Sequence, residues 1–305
     1  MRLLPAASII ALTTGVASAQ FVTSITKPLF GSNDPDVFFS DFSAGTSTFL
    51  LNPELDPGVT SSAPGFTGLA ADEANRRLFA STTAGTTSGI YSIDYDTLTP
   101  TFLVNTVTPG AGNGPVMAGL AFDTNNNVLY GTRTLGGSTG AEGLYSIDLA
   151  TGASTLVFEY ETTATSNFQI GGIDFDPTTG LIYLADDDDT GGRFIYSLDP
   201  ANPSSLTEVV AYPTGVTDVD GLGAGDGMLY LLSDGLDGNN GEHVVLDIAT
   251  GSVVDTLATP YPAYSDSVIG AINPSGGGAF APSIPTPGTA ALLGLAGLAT
   301  VRRRR

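Results

Sequence analysis

The sequence predicts an all-β fold built from repeated four-stranded sheets, and three observations lead to this prediction. Short runs of aliphatic and aromatic residues alternate with clusters of Asn, Gly, Thr and Asp, a pattern typical of strands joined by turns. The pattern recurs at intervals of 49 to 53 residues, measured between the glycines that open each copy. An aspartate ends the third run of each copy. The glycines are Gly68, Gly119, Gly172, Gly221 and Gly270, and the aspartates are Asp41, Asp94, Asp148, Asp199 and Asp247.

The clearest copy of the repeat is the segment 119–158. It contains four apolar runs, which are Leu120–Phe122, Val128–Tyr130, Leu144–Ile147 and Ser154–Phe158. The tight turn between the third and fourth runs begins with an aspartate and ends with a glycine. The aspartate side chain can form hydrogen bonds with the nearby backbone, and the glycine can adopt a positive φ. Each copy therefore predicts four antiparallel strands.

The two ends of the repeat region complement each other. Segment 37–51 aligns without a gap on segment 144–158, so the N-terminal part supplies a third and a fourth strand. The C-terminal part, about 268–280, supplies a first and a second strand, with Ala279–Phe280 as the second. A ring closed by a blade shared between the termini leaves no open sheet edge. The sequence thus predicts a five-bladed β-propeller with four strands per blade.

The motif at the third strand resembles a broad class of secreted and cell-surface propellers that carry an L-Y-x-[IL]-D-x-x-T-G pattern. Here it reads Leu144-Tyr-Ser-Ile-Asp-Leu-Ala-Thr-Gly152, and the repeat covers residues 37–281. Binding proteins, enzymes and scaffolds share this pattern, so the resemblance implies the fold and leaves the activity open.

The first nineteen residues have the layout of a secretory signal peptide. Arg2 precedes an apolar run from Leu3 to Val16, and Ala17-Ser18-Ala19 provides small residues at a cleavage point. The apolar run is shorter than the roughly 20 residues that a membrane-spanning helix needs. We therefore predict a signal peptide at 1–19, a propeller domain at 20–281 and a separate tail at 282–305.

The tail combines a proline-rich start, an apolar run predicted to be helical and four terminal arginines. It resembles the PEP-CTERM sorting signal of Gram-negative bacteria, on the residues Pro285, Thr286, Pro287, Arg302, Arg303, Arg304 and Arg305. Thr286 stands where that family usually has Glu. The resemblance implies an exosortase-type processing enzyme as partner, transient anchoring in the membrane by the tail, and a final location at the cell surface or outside the cell. The thirteen apolar residues would span about 20 Å as a helix.

Composition excludes several classes of function. The chain has 10 Lys and Arg against 31 Asp and Glu, and five of the basic residues lie in the two terminal signals. So acidic a domain would repel nucleic acid, which is therefore not expected as a partner. The absence of cysteine excludes disulfides, thiolate metal sites and a cysteine nucleophile. Surface solubility and the gathering of divalent cations are both compatible with this charge.

Catalytic signals are few. The single histidine, His243, has no placed nucleophile or metal partner in the sequence and is predicted to lie at the surface or rim. Phe66, Tyr261 and Tyr264 in loops could stack on sugars. Asp174, Asp218 and Asp220 lie on or just before inner strands, and an enzyme of glycosidase or lactonase type would need such carboxylates to converge, or a bound metal.

Two acidic loops between second and third strands are candidate calcium sites, because calcium takes six to eight oxygen ligands in flexible loops. Neither has the spacing of an EF-hand, and a merely solvated acidic loop is the alternative. The candidate ligands, together with two aspartates near the axis, are Asp186, Asp187, Asp188, Asp189, Asp218, Asp220, Asp234 and Asp237. Calcium is the one cofactor that the sequence suggests. Any ligand, calcium included, is expected near the axis on the face that carries the long loops.

Taken together, these features favour an exported, non-catalytic propeller of the cell envelope or extracellular matrix that serves as a binding or structural module. A polysaccharide or an envelope protein would be its partner. The alternative is an extracellular propeller enzyme that uses the funnel carboxylates or a bound metal.

Overall fold

The structure is a computed structural model that describes residues 20–27, 34–42, 44–51, 66–82, 88–108, 114, 116–133, 141–160, 168–187, 193–216, 219–233, 242–257 and 278–281. Within these residues the regular elements are twenty β-strands and one 3-10 turn, Glu73–Asn75. The strands are β1 Gln20–Lys27, β2 Asp34–Asp41, β3 Thr46–Leu51, β4 Phe66–Asp72, β5 Arg77–Thr82, β6 Gly89–Asp94, β7 Pro100–Asn105, β8 Gly119–Asp123, β9 Val128–Arg133, β10 Gly143–Ile147, β11 Ser154–Glu159, β12 Ile170–Asp176, β13 Leu181–Asp186, β14 Phe194–Leu198, β15 Thr207–Ala211, β16 Val219–Gly225, β17 Met228–Ser233, β18 Glu242–Asp247, β19 Val253–Leu257 and β20 Gly278–Phe280.

The described strands form five four-stranded antiparallel sheets in a propeller arrangement. Four sheets are continuous in sequence, namely β4 to β7, β8 to β11, β12 to β15 and β16 to β19, and we number them first to fourth. The fifth, the closing sheet, has the order β20-β1-β2-β3. The inner strands β4, β8, β12, β16 and β20 contact one another in that order, and β20 contacts β4. The five sheets thus surround one axis.

The closing sheet differs from the prediction in how the termini share it. The N-terminal part supplies three strands, because β1 pairs with β2 over eight residues and with β20 on its other side. The C-terminal part supplies one described strand, β20, in which Ala279 and Phe280 form the innermost strand and not the second. The β-branched residues of β1, Val22, Thr23, Ile25 and Thr26, fit a strand. The predicted first strand around Gly270 lies outside the described residues.

The repeated glycines allow the inner strands to approach one another at the axis. A Cβ on Gly68 would come within 2.8 Å of the Gly119 carbonyl carbon, and one on Gly172 within 2.8 Å of the Leu222 backbone nitrogen. A Cβ on Gly119 would lie 2.5 Å from the Gly171 carbonyl oxygen. These three glycines of the repeat therefore face the backbone of the next sheet, where no side chain fits.

The five aspartates that end the third strands cap the turns that follow them. The Asp148 carboxylate accepts the backbone N–H groups of Ala150 and Thr151, at 2.8 and 2.9 Å. Hydrogen bonds from the backbone N–H and the hydroxyl of Thr97 lower the pKa of Asp94. Asp41, Asp199 and Asp247 accept backbone N–H groups in the same way. Their recurrence therefore reflects turn geometry.

His243 lies in the core and not at the rim, which corrects the sequence prediction. It sits in β18 with no exposed surface, and its ring centroid is 6.2 Å from that of Phe42. Burial lowers its pKa to about 3, so the imidazole is neutral at physiological pH. The valine and leucine neighbours of the histidine in the sequence mark this strand as buried, and the histidine shares that environment.

The predicted C-terminal helix and sorting residues, 282–305, lie outside the described residues, as does the predicted signal peptide, 1–19. In the part of the chain that is described, there is no helix with the length and apolarity needed to cross a bilayer.

Candidate functional site at the ring axis

A pocket of about 310 Å³ lies at the axis and is lined by residues from all five inner strands or the turns that follow them. Its wall takes the equivalent residue from each of the four continuous sheets: Ala71, Phe122, Phe175 and Ala224. Phe280 of β20 completes it. Because these residues lie near the ends of the inner strands, the pocket opens where the first strand of each sheet turns into the second. We call this the short-turn face, and it is opposite to the long-loop face on which the sequence led us to expect a ligand.

Asp174 is the buried carboxyl of this axial pocket. Its Oδ2 accepts the backbone N–H of Ala224 at 2.9 Å and that of Phe280 at 3.1 Å, and its Oδ1 accepts the N–H of Phe175 at 2.9 Å. One side chain thus joins the inner strands of three sheets. Burial raises the pKa of Asp174 to about 8 even though the three N–H donors oppose that shift.

Two further carboxylates line the axial pocket. Glu73, half-buried in the 3-10 turn, accepts a hydrogen bond from the Tyr95 hydroxyl at 2.9 Å. Asp226 is exposed, with a φ of +54°, in the turn between β16 and β17. Sequence reasoning missed both residues, although both follow inner strands at equivalent places in the repeat.

The inner strands of the first three sheets end in a buried aspartate that caps the next turn, namely Asp72, Asp123 and Asp176. In the fourth sheet Gly225 takes that place, because a Cβ there would overlap the Phe280 ring. In this sheet the acidic residue is the next one in the sequence, Asp226, which lines the pocket. The closing strand therefore determines this departure from the repeat.

The predicted funnel carboxylates do not gather in one pocket. Asp174 bonds to Ala224 near the end of β16, whereas Asp220 lies four residues earlier in the same strand. That separation is about 13 Å along a strand. Asp218 lies outside the described residues. Catalysis would require these aspartates to converge on one substrate. Asp174 and Asp220, the two that the structure describes, do not.

The opposite end of the axis, on the long-loop face, brings two of the predicted calcium ligands near each other. A Cβ built on Gly171 would lie 3.5 Å from the Asp220 Cα and 3.6 Å from the Asp187 Oδ2. The Asp187 Oδ1 accepts hydrogen bonds from the Val219 N–H at 2.8 Å and from the Tyr212 hydroxyl at 2.9 Å. Two of the predicted ligands therefore share the axial region of that face.

Asp186 is buried at the end of β13, where its Oδ1 accepts the Gln169 N–H at 2.8 Å. Asp188, Asp189, Asp234 and Asp237 lie outside the described residues. Among the residues that the structure describes, no group of three acidic or histidine side chains is placed to hold a metal ion. Calcium binding by the acidic loops stays a prediction.

A second cavity of about 310 Å³ lies between the second and third sheets. Phe158, Phe168 and Tyr196 line it together with Glu159 and two serines, Ser204 and Ser205. The rings of Phe168 and Tyr196 pack edge to face, with centroids 5.5 Å apart. Of the aromatic residues predicted to stack on sugars, Phe66 is fully buried and so cannot, while Tyr261 and Tyr264 are outside the described residues.

Comparison with known proteins supports the fold. No protein-family model and no curated protein matches the chain. A solved structure titled as the nidogen/laminin complex is similar with a TM-score of 0.51 and 12% identity, over 86% of this chain and 98% of that one. The structure of TolB from Acinetobacter baumannii matches with a TM-score of 0.48 and 16% identity, over 79% of this chain. The match spans about half of TolB, 53% of its chain. At 12% identity, the similarity to the nidogen/laminin structure shows a β-propeller fold alone.

Proposed function

We propose that this protein is an exported, non-catalytic, five-bladed β-propeller of the cell envelope or extracellular matrix, and that it binds a small ligand in its axial pocket. The observation that carries the proposal is the pocket itself, to which all five inner strands contribute. Its volume lies at the lower end of the range for ligand sites, and apolar walls with a few polar groups are typical of such sites.

The enzyme alternative receives less support. It requires two carboxylates that act on one substrate, or a bound metal. The Asp174 carboxylate is occupied by three backbone N–H groups that hold the sheets together, and Asp220 lies towards the other end of the axis. The axial carboxylate thus has a structural role, and the pocket beside it is suited to binding.

The binding role can be tested with a thermal-shift screen of glycans and small molecules on the purified chain. Ala74 is exposed at the rim of the pocket, and Ala74→Trp would obstruct it. A ligand at 100 times its dissociation constant should stabilise the wild type by about 2.7 kcal/mol. We expect this stabilisation to disappear in Ala74→Trp and to persist in Ala201→Trp, which places the same ring on an exposed turn outside the pocket lining.

Two results would contradict the proposal. One is that every stabilising ligand is unaffected by Ala74→Trp, which would place binding elsewhere. The other is turnover of lactones or glycosides by the purified chain that is lost when Asp174 is replaced by Asn, which would establish the enzyme alternative.

Export and sorting form the second part of the proposal, and they are supported by the terminal signals in the sequence. We expect an exosortase-type enzyme to remove the tail after it has held the protein transiently in the membrane. Mass spectrometry of the exported protein should find a C-terminus before Thr289. Exported protein that retains Arg302–Arg305 would contradict processing, and the departure at Thr286 would then be the residue to change to Glu.

A further inference from the structure

The cavity of about 310 Å³ between the second and third sheets, which we call the inter-sheet cavity, lies on the outside of the ring. Phe158 and Glu159 in its lining belong to β11, and Ser204 and Ser205 belong to the turn that leads into β15. β11 and β15 are the outermost strands of their sheets. A ligand can therefore reach this cavity without entering the axis.

One side of the inter-sheet cavity is an aromatic wall, formed by Phe158, Phe168 and Tyr196. With Tyr160 they form a continuous row, in which successive ring centroids lie 6.2, 6.3 and 5.5 Å apart in the order Phe158, Tyr160, Phe168 and Tyr196. Tyr160 is fully buried, and its hydroxyl is hydrogen-bonded to that of Thr132 at 2.7 Å. The three rings of the wall are partly exposed. The wall is therefore anchored in the core while its surface stays accessible.

Two residues of the aromatic wall differ from their equivalents in the other sheets. The strand pairing places Phe158 at the position of Val104 in the first sheet and of Val210 in the third. Tyr196 takes the place of Tyr145 in the repeat, and it is partly exposed whereas Tyr145 is buried. Departures from a repeat are expected where a site is built.

Polar groups from both sheets border the aromatic wall. Glu159 is the last residue of β11, and like Ser204 and Ser205 it is exposed. The turn that carries the serines, 199–207, is one residue longer than its equivalent in the second sheet, 148–155. Serine hydroxyls donate and accept hydrogen bonds, and a carboxylate accepts them. The cavity thus combines an apolar wall with groups that can bond to hydroxyls.

This combination favours a sugar over other ligands. A pyranose ring with equatorial hydroxyls has C–H groups on its faces, which pack on aromatic rings, and hydroxyls at its edge, which bond to polar side chains. No lysine or arginine is found in the described lining, so an anionic ligand is not expected. Glu159 is the one carboxylate in that lining, whereas glycoside hydrolysis needs a pair. The cavity therefore suits binding and not cleavage.

We infer that the inter-sheet cavity binds an uncharged oligosaccharide of equatorial pyranose rings, such as β-linked glucose. One ring stacks on the aromatic wall, and its hydroxyls bond to Glu159 and to the two serines. The volume lies at the lower end of the range for ligand sites, and the place of the cavity on the outside of the ring lets a longer chain extend beyond it. The cavity shares no described lining residue with the axial pocket, so this inference does not depend on the proposed function.

The test is calorimetric titration of the purified chain with cellopentaose, a β-1,4-linked glucose oligomer, and with sorbitol, an open-chain polyol. We expect cellopentaose to bind at millimolar concentrations and sorbitol not to bind, because sorbitol has hydroxyls but no ring face. Phe168→Leu keeps an apolar side chain and removes the ring, so it should weaken binding about 5-fold. Glu159→Ala removes a charged hydrogen-bond acceptor and should weaken binding about 10-fold.

Two exposed residues on the outermost strands of other sheets provide matched controls. Phe102→Leu removes an exposed ring from β7, and Asp255→Ala removes an exposed carboxylate from β19. Both variants should keep the wild-type affinity for cellopentaose. Thermal unfolding without sugar shows whether each variant is folded. Glu159→Ala changes an exposed residue, so it tests the inference even if Phe168→Leu is destabilised.

Several outcomes would overturn the inference. No binding of cellopentaose, or equal binding of sorbitol, would show that the aromatic wall does not recognise a sugar ring. Equal weakening by the control variants would mean that the sugar contacts the surface as a whole. Aromatic-lined grooves also bind proline-rich peptides, and binding of decaproline in place of cellopentaose would make the cavity a peptide site.

The inference and the proposed function can fail separately. If Ala74→Trp abolishes cellopentaose binding, the sugar lies in the axial pocket, so the inference is wrong while the axial binding role stands. If cellopentaose binding persists in Ala74→Trp and is weakened by Glu159→Ala, the inference is supported whether or not the axial pocket has a ligand of its own.

Discussion

Asp174 departs from the repeat in which it lies. The equivalent positions in the other continuous sheets hold small residues, Ala70, Ala121 and Gly223, all of them buried. A carboxyl group at this place is costly unless it is hydrogen-bonded, and the N–H groups of the two inner strands that β12 approaches provide those bonds. Local departures from a repeat are expected where a site or a strained contact is built.

The first prediction concerns pH and Asp174. The folded protein keeps this carboxyl protonated up to a pH of about 8, whereas the unfolded chain releases the proton near pH 4. The folded state therefore binds more protons between these values, and the free energy of unfolding should fall as pH rises through them, by at most about 1.4 kcal/mol per pH unit. Asp174→Asn should remove this part of the slope.

Chemical denaturation between pH 6.5 and 8 measures the slope. His243, with its lowered pKa, has the opposite effect on stability, but that effect falls below pH 6.5 and so outside this window. Among the described residues, the other acidic groups near Asp174 are Asp176, Glu73 and Asp226, and they are unchanged in the variant. Glu208→Gln serves as the control and should keep the wild-type slope. If Asp174→Asn also keeps it, the Asp174 carboxyl is already ionised in the folded protein at these pH values, which contradicts the prediction.

Among the strands, the inner ones contain glycines that β-strand propensity does not explain. Glycine weakens a strand, yet the repeat places one in each described inner strand of the continuous sheets. The backbones of neighbouring sheets come so close at the axis that a Cβ would lie 2.5 to 2.8 Å from their atoms. The convergence of the strands therefore requires a residue without a side chain.

The second prediction compares two glycine substitutions. Gly172→Ala places a methyl group against the backbone of β16, which cannot move without disturbing the ring, and should destabilise the domain by about 3 kcal/mol. Gly180→Ala also changes a glycine, but it lies in a turn with a φ of +73° and has no atom within 4 Å of the added Cβ. Its cost is the backbone strain alone, about 1 kcal/mol.

Urea denaturation of both variants would provide the comparison. A loss in Gly172→Ala no larger than that in Gly180→Ala would mean that the inner strands separate without difficulty. In that case the close approach of the inner strands at the axis does not explain why the repeat has glycine at these positions.

For the whole molecule, the closing sheet determines how the ring is completed. Phe280 stacks on Tyr230 of the fourth sheet, with centroids 5.2 Å apart and planes inclined by 15°. Its N–H bonds to Asp174, and β20 pairs with β1 from the other end of the chain. A strand of three residues thus connects the N-terminal strands, the fourth sheet and the axial carboxyl.

The third prediction follows from this connection. A chain that ends after Gly277 lacks β20, loses the Phe280 contacts and exposes an edge of β1, so we expect a loss of at least about 3 kcal/mol. A chain that ends after Ala281 keeps β20 and lacks only the predicted sorting tail. It should unfold cooperatively at the midpoint of the full chain. Thermal unfolding followed by circular dichroism distinguishes the two, and equal midpoints would show that β20 does not complete the ring.

The sequence by itself determined what repeats. Strand runs, turn aspartates and glycines recur at a fixed spacing because each sheet has the same local chemistry, and their positions predicted the strands of the four continuous sheets. Asp174 could be predicted to lie near the axis because it belongs to an inner strand.

Only the tertiary structure decided what the sheets form together. The addition of β1 to the closing sheet and the innermost place of Phe280 depend on pairing between residues more than 250 positions apart, which no local pattern encodes. The position of the pocket on the short-turn face has the same origin. The pocket arises where five strand ends converge, and Glu73 and Asp226 become neighbours of Asp174 only when the ring is closed.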